Sequence, residues 1–290
     1  MSEYVLKVEN ISRNYGEIEA LKEVSFCLDS GQITVILGEN GAGKTTLFKI
    51  ITKFLRQDSG RVEIRAKNIG YVPEHPVFFY WLRGDEIINC TARLFGILES
   101  KVNKLIELYC EKLSFEAALL RRKPQTYSLG NQKKFSYLQN LVLEPDFLII
   151  DEPLNAVDPV TIKKLRDLFL ELKSQGKTIL ISSHIISEAE KVCDNFIIIK
   201  KGRIILQEKL QRFKEKYFFS RIFGRMIDEK TLQTFSQLIK KEDLLDNDTM
   251  KFTLLVGKEQ EPCFRQFLLE KGVISEESEP DLENIFLFFA

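Results

Sequence analysis

Eight consecutive residues, Gly38, Glu39, Asn40, Gly41, Ala42, Gly43, Lys44 and Thr45, have the types and spacing that hold a polyphosphate. The glycines let the backbone turn tightly and aim successive N–H groups at one point, and the helix expected from Thr45 and Thr46 onward directs its positive dipole end there too. Lys44 can reach terminal phosphates, and the Thr45 hydroxyl is placed to bind Mg²⁺, completing the pattern G-x-x-x-x-G-K-[ST]. A second chemical pair, Asp151 and Glu152, closes the wholly apolar run Phe147 to Ile150. One carboxylate there can hold Mg²⁺ beside Thr45, while its neighbour, pointing the other way, can orient and deprotonate a water.

Four further positions could serve the same chemistry. Ser128 stands at a helix start followed by Gly130, Lys133 and Lys134 with no early acid, which suits an anion and equally suits a plain N-cap. Tyr15 is an aromatic in a turn twenty-nine residues before Lys44, able to stack on a base or to be an ordinary loop residue. Glu74 follows Pro73 at a strand end. His184, one of two histidines, ends the apolar stretch Lys177 to Ser183, at the end where parallel sheets place ligands.

The elements that must position these groups are legible from periodicity. Residues 3–9 and Ala20 to Leu28 alternate as strands around a turn at Asn14 to Gly16, and Ile33 to Leu37 is a buried strand feeding the glycine loop. A helix runs to about Phe54, then strands follow at Arg61 to Arg65 and Ile69 to Pro73. From Val77 to Leu120 apolar residues recur three and four apart, which predicts a helical insert, and another helix runs from Ser128 to Leu143. A helix over Val160 to Ser174 and strands at Lys177 to Ser183, Asn195 to Ile199 and Arg203 to Leu206 complete an α/β layered sheet. Beyond about Lys209 lies a basic, aromatic segment, Phe213 to Arg225. It leads into a helix-like Lys230 to Lys240, a strand Lys251 to Val256, a helix Glu261 to Lys271, and an apolar helical face at Leu282, Ile285, Phe286 and Phe289. This reads as a small α+β appendage without a catalytic constellation.

The bulk numbers exclude several classes. Forty-two basic residues balance forty-two acidic ones, so the whole chain offers no attraction for nucleic acid or anionic lipid, and the basic clusters at Arg121 to Lys123 and Lys133 to Lys134 read as solvated surface. Five scattered cysteines show neither a disulfide framework nor zinc spacing. No apolar run approaches the roughly 20 residues that span a bilayer, so the expected location is cytoplasmic, with any spanning part on another chain.

Over residues 1–208 the order and spacing resemble the ATPase subunits of ATP-binding-cassette (ABC) transporters. Gly38 to Thr45 resembles the family's Walker A motif and Phe147 to Glu152 its Walker B. The resemblance implies an α/β P-loop NTPase core, a mixed sheet with flanking helices and a helical subdomain over about 75–144, with 209–290 as a C-terminal accessory domain. It implies ATP and Mg²⁺ as ligands, with Glu152 as catalytic base, His184 as the switch histidine, Asp151, Thr45 and Glu74 around the metal, and Tyr15 on adenine. Leu154 to Asp158 is similar to the loop that meets a facing subunit. The LSGGQ signature stands here as Tyr127, Ser128, Leu129, Gly130 and Asn131, and Glu74 replaces the usual glutamine. These departures and the terminal Pro280 to Phe286 are similar to exporters of drugs, lantibiotics, ions and glycans. The implied partners are a second ATPase subunit, identical or different, and a separate membrane permease, with no nucleic acid and a peripheral position on the inner membrane face. A soluble ABC-type ATPase acting on ribosomes or DNA is the alternative reading, and a P-loop kinase or GTPase would leave Ser128, Asp158 and His184 without a role.

Overall fold

The structure, a computed structural model, describes residues 4–154, 157–183, 185–224, 232–236, 239–246, 249–271 and 273–289. Strands β1 (Tyr4–Tyr15) and β2 (Ile18–Asp29) pair antiparallel across a turn at Gly16 and Glu17. Both run further toward that turn than the expected 3–9 and Ala20 to Leu28. Left-handed residues at Asn10 (φ 50°) and Glu23 (φ 51°) and shifts of register interrupt the apolar alternation on which the period-2 signal depends.

Next, β3 (Ile33–Leu37) leads through the glycine loop into α1 (Lys44–Ile51), and β4 (Ser59–Ile64) returns to pair with β1 in a three-stranded sheet ordered β2-β1-β4. After β5 (Ile69–Val72), residues 73–83 are not helical, so the helical stretch starts not at Val77 but at α2 (Gly84–Leu94). Two carboxylates fix that start, the Arg83 N–H donating to the Glu86 carboxylate at 2.7 Å and the Glu86 N–H to that of Asp85 at 2.9 Å. Then come α3 (Glu99–Leu113), two 3₁₀ turns (Ala117–Arg121 and Pro124–Thr126), α4 (Leu129–Leu141), β6 (Phe147–Asp151), α5 (Pro159–Ser174), β7 (Thr178–Ser182), α6 (Ile186–Glu190), β8 (Asn195–Lys200) and β9 (Arg203–Lys209).

Six of these strands form the central sheet in the order β5-β6-β7-β3-β8-β9, and neighbours from β5 to β8 run parallel. Every residue of β3, β6 and β7 is buried, as apolar runs without alternation require when both faces are covered. Along β6 the pleat divides the side chains. Leu148 and Ile150 join a core with α2 to α5, while Phe147 and Ile149 join one with α1, β1 and β2. The mixed α/β sheet with flanking helices and an all-helical segment is therefore present.

The chain separates into two compact units, Met1–Gln207 and Glu208–Ala290. In the second, α7 (Leu210–Lys216) precedes β10 (Tyr217–Gly224), β11 (Ile239–Asp246), β12 (Thr249–Gly257), α8 (Glu261–Lys271), β13 (Ile274–Ser278) and α9 (Leu282–Phe289), and the antiparallel sheet is ordered β11-β12-β10-β13. The aromatic segment after Phe213 is largely β10, whose Phe218 and Ile222 pack with Phe252, Leu254 and Phe264. The helix expected over Lys230 to Lys240 does not extend to its end: Ile239 and Lys240 open β11, paired with Leu254 and Thr253. Residues 225–231 and 237–238 of those two readings lie outside the described residues.

Candidate functional site

The glycine loop is built to a tolerance that only glycine meets. Gly43 caps α1 at φ 108°, and a Cβ there would lie 2.6 Å from the Ala20 carbonyl oxygen. At Gly38 a Cβ would lie 2.6 Å from the Ile199 oxygen. Ala42, by contrast, belongs in the apolar core at 5% exposure, and its N–H donates to the Glu39 carbonyl. Lys44 is buried and its ammonium donates to the carbonyls of Gly38 (2.7 Å) and Glu39 (3.1 Å), inside the curve of the loop. The first turn of α1 holds no acid, so its dipole and N–H groups face the cleft unopposed. Gly43→Ala is expected to weaken nucleotide binding at least tenfold and to cost about 1–3 kcal/mol of stability, the range for a strained left-handed residue. Titration with a fluorescent nucleotide and a thermal melt check both effects.

The carboxylate pair is positioned by strand register. Asp151 ends β6 directly beside Ser182 of β7. The Ser182 hydroxyl donates to Asp151 Oδ1 (2.5 Å) and accepts the Glu152 N–H (3.0 Å), while the Thr45 hydroxyl donates to Asp151 Oδ2 (2.8 Å). Thus Thr45 and Asp151 meet although 106 residues apart. Glu152 follows at φ 49°, uncommon for a residue with a side chain, and stays 6% exposed on the cleft wall. Glu74 lines the same wall, with His75 Nε2 3.9 Å from its carboxylate.

Among the described residues no group of three His, Cys, Asp or Glu forms a metal cage. The hydroxyl of Thr45 beside Asp151, with Glu74 on the same wall, is instead a sparse set of hard oxygen donors. That set fits Mg²⁺, which keeps waters and takes phosphate oxygens as its remaining ligands.

The cleft encloses about 630 Å³, and its walls also include Asn40, Gly41, Thr46, Ile18, Lys22 and Lys201. Tyr15 is not on them. It pairs with Ile18 across the turn, 46% exposed, with the Arg13 guanidinium 5.2 Å from its ring centre, and Ile18 is the member that faces the cleft. The two lysines carried no sequence signal of their own. Lys201 reaches the cleft because its turn is bonded to the loop through Gly202 N–H and the Ala42 carbonyl, at 3.1 Å.

Ser128, Gly130 and Asp158 are not among the cleft residues. Ser128 caps α4, accepting the Asn131 N–H at 3.3 Å, and Leu129 beside it is 72% exposed. Asp158 caps α5 through the Thr161 N–H (2.9 Å) and hydroxyl (2.6 Å), contacts that hold its carboxyl down at about 2. His184, and Asn155 and Ala156 of the contact loop, lie outside the described residues.

The lysine pair read as solvated surface is split by the fold. Lys134 Nζ lies 3.8 Å from Asp158, but Lys133 is 2% exposed and its ammonium donates to the carbonyls of Pro73 and Asp151, both at 2.9 Å. Burial lowers its pKa to about 8 against the pull of Asp151, Glu74 and Glu152. Burial likewise raises Tyr71, with Asp151 and Glu74 adding to it.

Residues 21–155 match the sequence profile described as ABC transporter. An uncharacterized ABC transporter ATP-binding protein of Methanocaldococcus jannaschii is 32% identical over 249 residues, covering 85% of this chain and 94% of that protein. The lantibiotic transport ATP-binding protein SrtF of Streptococcus pyogenes is 31% identical over 71% of this chain and 91% of its own length. Among solved structures, an ATP-binding subunit of an ABC transporter superimposes with a TM-score of 0.68 at 30% identity, over 72% of this chain and 92% of that one.

Proposed function

The chain belongs to the ABC transporter family as an ATP-binding, ATP-hydrolysing subunit, and we propose that two subunits close around two MgATP to drive a separate membrane permease. The observation that carries this reading is the separation just described. An anion-ready helix start, with Ser128 at its cap and no acid in its first turn, is exposed and lies outside the chain's own cleft. Set against the cleft of a facing subunit, Ser128 and Gly130 would complete a phosphate cradle that Lys44 and Thr45 begin.

Within each site Lys44 exchanges the Gly38 and Glu39 carbonyls for phosphate oxygens, and the loop N–H groups take the rest of the negative charge. Thr45, Asp151 and Glu74 would hold Mg²⁺, which would supply positive charge against the phosphate oxygens. Glu152 accepts the proton of the attacking water, held in place through its own N–H by Ser182. His184 is assigned to the γ-phosphate, and Asp158 to the facing subunit. Ile18, on the cleft wall, and Tyr15, its partner across the turn, are assigned to the base.

No helix of the described residues is long and apolar enough to cross a membrane, and in this reading the permease supplies that part. Its docking surface is the helical segment together with the non-helical stretch that leads into it, where Val77, Phe79, Tyr80 and Trp81 before α2 and Leu94 and Leu98 beyond are all exposed. Export, as in lantibiotic transport by the streptococcal relative, is the direction assigned, with the subunit held on the inner membrane face. Phosphate release measured against protein concentration tests the shared site. Activity per subunit should rise steeply as dilute protein is concentrated, and a flat profile in demonstrably monomeric protein would sink the reading.

A further inference from the structure

Lys133, Tyr137 and Asn140 fall at i, i+4 and i+7 of α4 and so share one face of the helix. That face is buried, the three residues being 2%, 0% and 8% exposed, yet each presents a polar group there. All three bond to backbone outside the helix. The Lys133 ammonium donates to the carbonyls of Pro73 and Asp151, both at 2.9 Å, and reaches that of Glu74 at 3.5 Å. The Tyr137 hydroxyl donates to the Pro153 carbonyl at 3.2 Å, and Asn140 Oδ1 accepts the Tyr71 N–H at 3.0 Å.

A helix that needed only to cover a sheet would bury leucines, because a buried ammonium is costly unless every proton finds an acceptor. Here the acceptors lie along or just beyond the C-terminal ends of β5 and β6, the segments that place Glu74, Asp151 and Glu152. The head of the stripe lies about one helical turn from Gly130 and Ser128, which lie outside the chain's own cleft.

We propose that this stripe is a positioning device, with Lys133 at its head. It ties the carboxylate end of one cleft to the Ser128 to Gly130 segment that the same chain offers to its partner's nucleotide. A shift of the Asp151 or Glu74 backbone on nucleotide binding then moves the start of α4 as a unit, because packed helices shift as bodies rather than deforming continuously. The two sites become energetically coupled, and the coupling is reciprocal. This rests on the two-subunit reading above.

Three full-length variants test it: Lys133→Met, Lys133→Arg and Tyr137→Phe. Each is measured for ATP affinity as monomer, kcat, and the Hill coefficient of hydrolysis, whose upper limit of about two is the number of sites. Lys133→Met should leave monomer affinity within about twofold, lower kcat about tenfold or more, and bring the Hill coefficient to about one. Lys133→Arg, which keeps the cation and its donors, should recover most of both. Tyr137→Phe removes one hydroxyl and keeps the ring in the core, so it should move the Hill coefficient the same way by less.

A Lys133→Met protein with wild-type cooperativity overturns the proposal, as does one whose monomer affinity falls in step with kcat, since Lys133 would then only build its own cleft. If Lys133→Met does not fold, Tyr137→Phe decides, and unchanged cooperativity there overturns the proposal alone. A separate control identifies failure of the underlying reading: Glu152→Gln protein that stays monomeric with MgATP removes the two-subunit site and the coupling with it.

Discussion

Glu152→Gln is expected to lower ATP turnover by about 10²–10⁴-fold, the usual contribution of a positioned general base, while ATP affinity holds. Glutamine has the same size and shape, so the 6% exposed pocket and the left-handed backbone at φ 49° accept it. The Ser182 contact is to the backbone N–H and survives the change. What goes is the basic oxygen and one negative charge on the wall facing the triphosphate. The variant should therefore accumulate as a closed, ATP-filled dimer. Phosphate release gives the rate, and size-exclusion chromatography with MgATP gives the assembly. Wild-type turnover would remove Glu152 as the base, whatever the assembly shows.

The second expected result separates one site from two. Lys44→Ala empties the phosphate cradle of its ammonium, and Ser128→Arg fills the opposing helix start with a bulky side chain, so each variant alone should lose nearly all activity. Mixed one to one, half of the random dimers are heterodimers, and each of these pairs an intact Lys44 with an intact Ser128 at one of its two sites. Up to about a quarter of the wild-type rate should return, the full quarter if one intact site turns over without its neighbour and less in so far as the two sites are coupled. Sites complete within one chain would return nothing on mixing, because every cleft would carry a lesion. The separation of Ser128 and Gly130 from the cleft that holds Lys44 and Thr45 makes the first outcome the expected one.

The glycine loop was legible because its signal is local. Positive φ, close approach to the carbonyls of Ala20 and Ile199, and a helix start all demand glycine at particular positions, and the demand is written in consecutive residues. Asp151 and Glu152 were legible for a similar reason, since an apolar run ending in two acids has few structural uses. The small β13 carried no such signal: Ile274 to Ser278 is mostly polar and exposed, and only pairing with β10 makes it a strand. The helix expected toward Lys240 failed likewise, with pairing of Ile239 and Lys240 to β12 overriding the local pattern.

Lys133 marks the limit most sharply. Two adjacent lysines read as solvent-facing charge, and nothing within the sequence near them says which one turns inward. Helix period places Lys133 on the face of Tyr137 and Asn140, but its acceptors come from Pro73 and Asp151, 60 and 18 residues away. The sequence by itself determined the glycine loop, the carboxylate pair, the order of the main strands and helices up to β9, and the family, because each rests on local spacing. The tertiary structure decided which groups share a cleft. Asp151 meets Ser182 through parallel strand register and Thr45 at the start of α1, Lys201 enters the wall through a turn bonded to the loop and Ile18 through the start of β2, and Ser128 lies outside the cleft. These are meetings between distant segments, and packing of the two cores against the sheet, rather than any local preference, brings them about.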